Sequence, residues 1–123
     1  MPNVDPIVWL EKPEDKDYPA AASYLSLLWP DSQVQALVQR LQAAPVVRFK
    51  AKDIFRASGL SLLGVSNSHV EKDRKKVADG KALAPILLVR DTTQGKVVIA
   101  DGYHRLCAVY SLNEDEFIPS KIV

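Results

Sequence analysis

The sequence predicts an α+β fold that begins with a helical hairpin, and three observations lead to this prediction. Apolar residues recur first at helical spacing and later in strand-like runs rich in β-branched residues. The strand-like segments do not alternate strictly with the helical ones, which argues against a doubly wound parallel sheet. The length of 123 residues, with 47% hydrophobic and 25% charged residues, is typical of one globular domain.

The first 45 residues predict an irregular lead followed by two short amphipathic helices. Prolines and charged residues make up much of positions 1–17, as is typical of irregular chain. Asp17 is placed to cap the first helix and Asp31 the second, which ends near Ala44. The apolar stripes of these helices consist of Ala21, Tyr24, Leu25 and Leu28, and of Val34, Leu37, Val38 and Leu41. Such stripes are buried against the rest of the chain or against a second copy, so a homodimer is one expectation.

From residue 46 to residue 80 the pattern predicts one strand and two helices. The segment "VVRFKAK" (46–52) alternates like a half-buried strand, and "KDIFRASG" (52–59) predicts a short helix closed by Gly59. Residues 60–68 show no period and are predicted as a loop. Ser68 and Glu71 fit a capping box for a polar helix that runs to Gly80.

The last third of the chain predicts a β-hairpin, a helix and a final strand. The strands "PILLVRD" (85–91) and "KVVIAD" (96–101) are joined by the turn "TTQG". A helix is predicted from about Gly102 to Leu112, and "FIPSKIV" (117–123) predicts a terminal strand. The predicted order of elements is therefore αα-β-α-α-β-β-α-β.

Composition excludes several functional classes. A formal net charge of +1 argues against a protein that coats nucleic acid through bulk charge. Cys107 is the single cysteine, so no internal disulfide is expected and a reducing compartment fits best. The sequence carries neither a signal-peptide pattern nor 18 consecutive apolar residues. We therefore expect a cytoplasmic protein of bacterial type with no membrane partner.

The stretch "ADGYHRLCAVY" (100–110) predicts an anion site at the start of a helix. Arg105 lies in the first helical turn, where the helix dipole disfavours a cation by about 0.3–1 kcal/mol unless an anion binds there. Asp101 is placed to cap this helix, and Gly102 lacks a Cβ that would block a phosphate. His104 and Arg105 are suitable donors to the same anion. The alternative is that Gly102 only makes a tight turn while His104 and Arg105 have no ligand.

Residues 46–123 resemble the ParB/sulfiredoxin-like superfamily. The resemblance is carried by "ADGKALAPILLV" (78–89), "KVVIADGYHRLCAVYSL" (96–112) and "FIPSKIV" (117–123). It implies a small mixed sheet in a domain of residues 46–123, preceded by the lead and hairpin at 1–45.

The resemblance also implies a site and its ligands. A nucleoside di- or triphosphate is expected at the helix N-terminus, with Mg²⁺ beside Asp101. Asp101 and His104 are then the candidates for a catalytic role. The implied phosphate-binding residues are Gly102, Tyr103, His104 and Arg105.

Two departures from the superfamily restrict the chemistry that this resemblance implies. Tyr103 stands in the position of the sulfiredoxin catalytic cysteine, and Cys107 lies one turn further on. Free-serine kinases use a carboxylate in the loop before the middle helix, and no acidic residue lies between Ala57 and His69. Reductase chemistry is therefore not expected, and kinase chemistry is disfavoured.

The segment "SNSHVEKDRKK" (66–76) is a second candidate region. Ser66, Asn67 and Ser68 are predicted to contact a ribose or phosphate, with plain helix capping as the alternative. His69 is either an acid/base group or a surface histidine without a role. The lysine-rich helix is either a solvated face or a basic patch that contacts nucleic acid.

Three functional hypotheses follow. The first is a nucleotide-phosphate-binding domain with NTPase activity or phosphotransfer to a small molecule through DGYHR. The second is a DNA-associated module, either ParB-like and regulatory or nuclease-like. The third is a non-catalytic partner protein that keeps the fold and has lost the chemistry.

Overall fold

The computed structural model of this chain describes residues 7–61 and 67–123, which form an α+β fold. Five helices and four strands follow one another in the predicted order. The helices are α1 (Asp17–Leu25), α2 (Asp31–Ala43), α3 (Ala51–Ser58), α4 (Ser68–Ala78) and α5 (Tyr103–Leu112). The strands are β1 (Val47–Lys50), β2 (Ile86–Asp91), β3 (Lys96–Asp101) and β4 (Phe117–Ile122).

The four strands form one mixed sheet in the order β1-β4-β2-β3. Strands β2 and β3 form the predicted antiparallel hairpin, and β4 pairs with β1 in antiparallel fashion. Strand β4 also pairs with β2 in parallel, so that Ile86 lies opposite Ser120. Residues 86–89 are buried on both faces of the sheet, and the expected small mixed sheet is confirmed.

The N-terminal hairpin covers one face of this sheet. Leu87 and Val89 of β2 pack there with the buried residues of α1 and α2, whereas Ile86 and Leu88 face the opposite side, where Ile54 and Leu106 pack. This division follows from the alternation of side chains along a strand. The hairpin residues in the cluster are Ala21, Leu25, Val34, Leu37 and Leu41. The sheet is thus sandwiched between the hairpin and the layer that holds α3 and α5.

Helix α5 also carries the peripheral helix α4 on its other side. Val70 of α4 packs on Cys107 and Ala108 in a small apolar cluster of its own. Few apolar residues serve this contact, as expected from the polar sequence of α4.

The lead before α1 is held at the start of β2. Trp9 forms an isolated parallel bridge with Leu83, and Trp9 packs against the core. The amide of Leu10 donates to the carbonyl of Leu83 at 2.8 Å. This pairing brings the lead to the edge where β3 ends.

Helix starts differ from the capping predictions by one position. Asp17 and Asp31 are the first residues of their helices, and Lys16 and Pro30 precede them as N-caps without a side-chain bond. Helix α4 is capped by Asn67, whose Oδ1 accepts from the amides of His69 and Val70 at 3.0 and 3.3 Å. Gly59 ends α3 with φ of 69°, as predicted. Residues 62–66 of the predicted loop lie outside the described residues.

Within the described residues, no helix has the length and apolar character needed to cross a bilayer.

The packing of the hairpin on the sheet predicts a contrast between two nearby leucines. Leu25 is fully buried in the hairpin–sheet cluster, whereas Leu27 is 81% exposed. Leu25→Ala should lower the free energy of unfolding by about 2–5 kcal/mol, because it leaves a cavity. Leu27→Ala should change it by less than about 0.5 kcal/mol. Urea denaturation followed by circular dichroism measures both, and equal small effects would contradict the packing.

Candidate functional site

A polar cleft of about 190 Å³ opens beside the end of β3. The lead, α4, the segment before β2, β3 and α5 all contribute to its walls. Its lining residues are Glu14, Lys16, His69, Lys72, Asp73, Lys76, Ala82, Leu83, Ala84, Asp101, Gly102, His104 and Arg105. The DGYHR segment singled out in the sequence therefore forms one wall of this cleft.

Gly102 turns the chain from β3 into α5. Its φ is +105°, and it is the N-cap of α5 in place of the predicted Asp101. A Cβ at this position would lie 2.4 Å from Cγ2 and 2.8 Å from Cβ of Ile86. Glycine is therefore required here for two reasons: a Cβ would clash with Ile86, and the positive φ strains any other residue. This role of Gly102 corresponds to the tight turn that was the alternative to a phosphate site.

The carboxylate of Asp101 is paired with Arg105 instead of capping the helix. Nη2 of Arg105 donates to Oδ2 of Asp101 at 3.0 Å, across one helical turn. Nη1 of the same guanidinium lies 4.0 Å from Oδ1 of Asp17 at the start of α1. The anions that offset the unfavourable position of Arg105 on the helix dipole are thus two protein carboxylates.

This three-residue cluster is largely removed from solvent. The side chains of Asp17, Arg105 and Asp101 are 4%, 16% and 18% exposed. Burial raises the pKa of Asp101; Arg105 opposes that shift, and Asp17 adds to it through like charge. Among the described residues, no acceptor reaches the buried Nε of Arg105. Arg105 therefore serves first to neutralise carboxylates inside the protein.

Two imidazoles meet inside the cleft. The rings of His69, in the first turn of α4, and His104, in the first turn of α5, have centroids 4.8 Å apart. Burial and the neighbouring His69 lower the pKa of His104, and Asp73 acts in the opposite direction. With its pKa below the usual 6.5, His104 is predominantly neutral at pH 7 and can donate or accept a proton.

Cations from outside the DGYHR segment also line the cleft. Lys72 and Lys76 come from α4, and Lys16 comes from the lead. His69, Lys72 and Lys76 are spaced i, i+3 and i+7, so they share one face of the helix. From sequence, these lysines form either a solvated face or a basic patch for nucleic acid, and their spacing also groups them with His69.

The remaining predicted residues lie beside the cleft or outside the described residues. Tyr103 is half-buried, and its hydroxyl donates to the carbonyl of Ser61. Asn67 caps α4 while Ser68 is exposed, and neither lines the cleft. Ser66 falls in the part of the chain that is not described. Cys107 is buried in the α4–α5 contact, as expected for a small apolar residue.

The first amides of α5 supply further donors. No described side chain caps this helix, and the first of its amides to donate within the helix is that of Leu106, to the carbonyl of Gly102. The amides of Tyr103, His104 and Arg105 therefore have no partner within the helix, as in any first helical turn.

The contact of Asp101 with Mg²⁺ stays a prediction; in the structure its Oδ2 accepts a hydrogen bond from Arg105. In residues 7–61 and 67–123, no group of three or more His, Cys, Asp or Glu side chains is arranged to hold a metal ion. A cation at this site would depend on oxygens supplied by a ligand.

A larger cavity, of about 430 Å³, lies between the α1–α2 turn and the β2–β3 hairpin. Its charged lining residues are Asp91 and Lys96. Because charges and imidazoles converge only on the smaller cleft among the described cavities, that cleft is the candidate site.

No model of a known protein family matches this chain, and no curated protein or solved structure matches it either. The site is therefore interpreted from its own geometry.

The close approach of Gly102 to Ile86 predicts a severe effect of Gly102→Ala. Backbone strain at positive φ and the clash with a core side chain should together cost about 3 kcal/mol or more. Gly80→Ala is the matched control, because Gly80 has φ of +73° and nothing within 4 Å of an added Cβ. Thermal unfolding should show a much smaller loss for Gly80→Ala, and equal losses would mean that the contact with Ile86 is relieved in solution.

The buried ion cluster predicts that Arg105→Ala destabilises the fold. Removing the guanidinium leaves Asp101 and Asp17 buried without a cation, at a cost of about 3–5 kcal/mol. Asp101→Asn in the same background should recover part of this loss. Lys52→Ala, which breaks a shorter but exposed pair with Asp115 at 2.7 Å, should be far milder. Chemical denaturation of all four proteins tests this, and unchanged stability of Arg105→Ala would exclude the structural role.

Proposed function

We propose that this chain is a nucleotide-phosphate-binding domain of the ParB/sulfiredoxin type, with the phosphates held in the cleft between α4 and α5. The observation that carries the proposal is a convergence of anion donors. Lys72 and Lys76 line the same cleft as the uncapped start of α5 and the neighbouring rings of His69 and His104. Backbone amides at a helix start together with lysines are common ligands of phosphate.

The lysines that line the cleft support an anionic ligand. Arg105 already faces two carboxylates, Asp101 and Asp17, so the cations left for a ligand are Lys16, Lys72 and Lys76, with Glu14 and Asp73 beside them. Lys16 and Glu14 are 4.0 Å apart and are both well exposed. The two α4 lysines are then the cations most available to a ligand.

The size of the cleft favours the phosphate tail of a nucleotide over the whole molecule. Its volume of about 190 Å³ lies below the roughly 300–1,000 Å³ usual for sites that enclose a complete small molecule. The base and ribose would extend from the opening of the cleft.

The proposal assigns different roles to the residues of DGYHR than the sequence analysis did. His104 and the amides of residues 103–105 contact the phosphates. Gly102 sets the turn, and the Asp101–Arg105 pair holds that turn in place. The proposal is one of binding; His104 is the residue best placed for proton transfer if a reaction follows.

The proposal predicts a contrast between lysines of one helix. Lys72→Gln and Lys76→Gln should each weaken ATP, CTP or pyrophosphate binding about twofold to fivefold, because each removes one partly screened cation. Lys75→Gln is the matched control, since Lys75 is exposed on α4 and does not line the cleft. Isothermal titration calorimetry of the full chain measures the dissociation constants.

Two outcomes would overturn the proposal. One is the absence of binding by any of these ligands. The other is an equal loss of affinity in Lys75→Gln, which would indicate attraction by the whole helix instead of a site. Tight binding of duplex DNA with a steep salt dependence, and no nucleotide binding, would favour the DNA-associated hypothesis.

A further inference from the structure

Both histidines of the sequence lie in the candidate cleft. The sequence has two histidines, His69 and His104, and the fold brings both into the cleft. Their ring centroids are 4.8 Å apart with an angle of 42° between the planes. His69 begins a peripheral helix, so its place beside His104 depends on the packing of α4 on α5 through Val70, Cys107 and Ala108.

Charged groups from the lead, α4, β3 and α5 surround the pair, whereas the segment before β2 contributes only Ala82, Leu83 and Ala84. Helix α4 presents Lys72, Asp73 and Lys76, and the lead presents Glu14 and Lys16. At the end of β3 and the start of α5 stand Asp101 and Arg105, which are paired with each other. In the absence of a ligand, burial and the neighbouring His69 lower the pKa of His104, which disfavours a proton on that ring.

We propose that His69 and His104 form a proton-linked anion-binding pair: a phosphate group in the cleft contacts both rings, and its binding is accompanied by proton uptake from solvent onto the imidazoles. This inference rests on the proposed phosphate site and adds His69 to its ligand-contacting residues. The proton adds to a ring nitrogen lone pair, and no covalent bond is formed with the phosphate.

The sign of the effect follows from linkage. In the free protein, burial and His69 hold the pKa of His104 below 6.5. A phosphate within contact distance raises the pKa of each ring, because it stabilises the charged form. Between the free and bound pKa values the complex carries more protons than the free protein, so affinity increases as pH falls. The increase is at most about tenfold per pH unit for each proton taken up.

Histidine NMR tests the inference directly. Two histidine ring resonances are expected from the full chain, and His69→Gln and His104→Gln assign them. The pKa of each ring is measured from pH 5 to 8, without ligand and with saturating pyrophosphate, on protein treated with a chelator. The readout is specific to each residue, so the titration of each ring is followed separately from that of pyrophosphate.

The expected result is a rise of about one unit in the pKa of both rings when pyrophosphate binds. Lys75→Gln should show the same rise. His104→Gln should lower the affinity for pyrophosphate more at pH 6 than at pH 8.

The other outcomes separate this inference from the proposed function. If pyrophosphate shifts the amide resonances of residues 103–105 while neither ring pKa rises, the proton-linked pair is wrong and the phosphate site stands. If the pKa of His104 alone rises, His69 is not a contact and the pair is again wrong. If no resonance responds to pyrophosphate, the phosphate site itself is wrong and this inference falls with it.

Discussion

The arrangement of the candidate site depends on a buried guanidinium that lies between two carboxylates from different parts of the chain. Arg105 in α5 contacts Asp101 at the end of β3 and Asp17 at the start of α1. Separating such charges in a poorly solvated setting is costly, because each uncompensated ion loses its hydration. The cluster therefore fixes the N-terminal hairpin, the last residue of β3 and the first turn of α5 relative to one another.

The same cluster explains why a cation is tolerated in the first turn of a helix. The dipole of α5 alone disfavours Arg105, but the fold supplies two carboxylates at that position. Asp101 cannot then cap the helix, and the amides of the first turn remain available at the cleft. Gly102 makes this geometry accessible, since a residue with a side chain would strain the backbone and clash with Ile86. The ion cluster of Asp17, Asp101 and Arg105 and the uncapped start of α5 thus both follow from the turn at Gly102.

Most of the fold could be predicted from the sequence, because its elements are determined by local periodicity. The order of elements, the hairpin β2–β3 and the end of α3 at Gly59 followed from apolar spacing and turn residues. Caps were less predictable, because Asn67 and Ser68 satisfy the same local rule and the structure uses Asn67. Asp101 also fits the capping rule, and only its contact with Arg105 overrides it.

The DGYHR part of the site was the most predictable, since it is contiguous in sequence, and residues 66–76 were identified only as a second candidate region. Asp17 and Arg105 are far apart in sequence, so no local sequence pattern predicts their contact. The meeting of His69 with His104 likewise requires the packing of α4 on α5. Helix α4 therefore contributes to the cleft through tertiary structure, although its sequence is that of an ordinary solvated helix.

Helices α4 and α5 contribute different groups to the cleft, because the guanidinium of Arg105 in α5 is already paired with carboxylates. A guanidinium already paired with carboxylates has little charge left to offer a ligand, so the net attraction for an anion must come from elsewhere. In the proposed site Lys72 and Lys76 provide it, and they are carried by a helix that packs on α5 through few apolar residues. The cleft wall that carries the DGYHR segment is formed by β3 and α5, and α4 contributes the lysines. An anion bound there would contact both α4 and α5 and so stabilise the packing of α4 on α5.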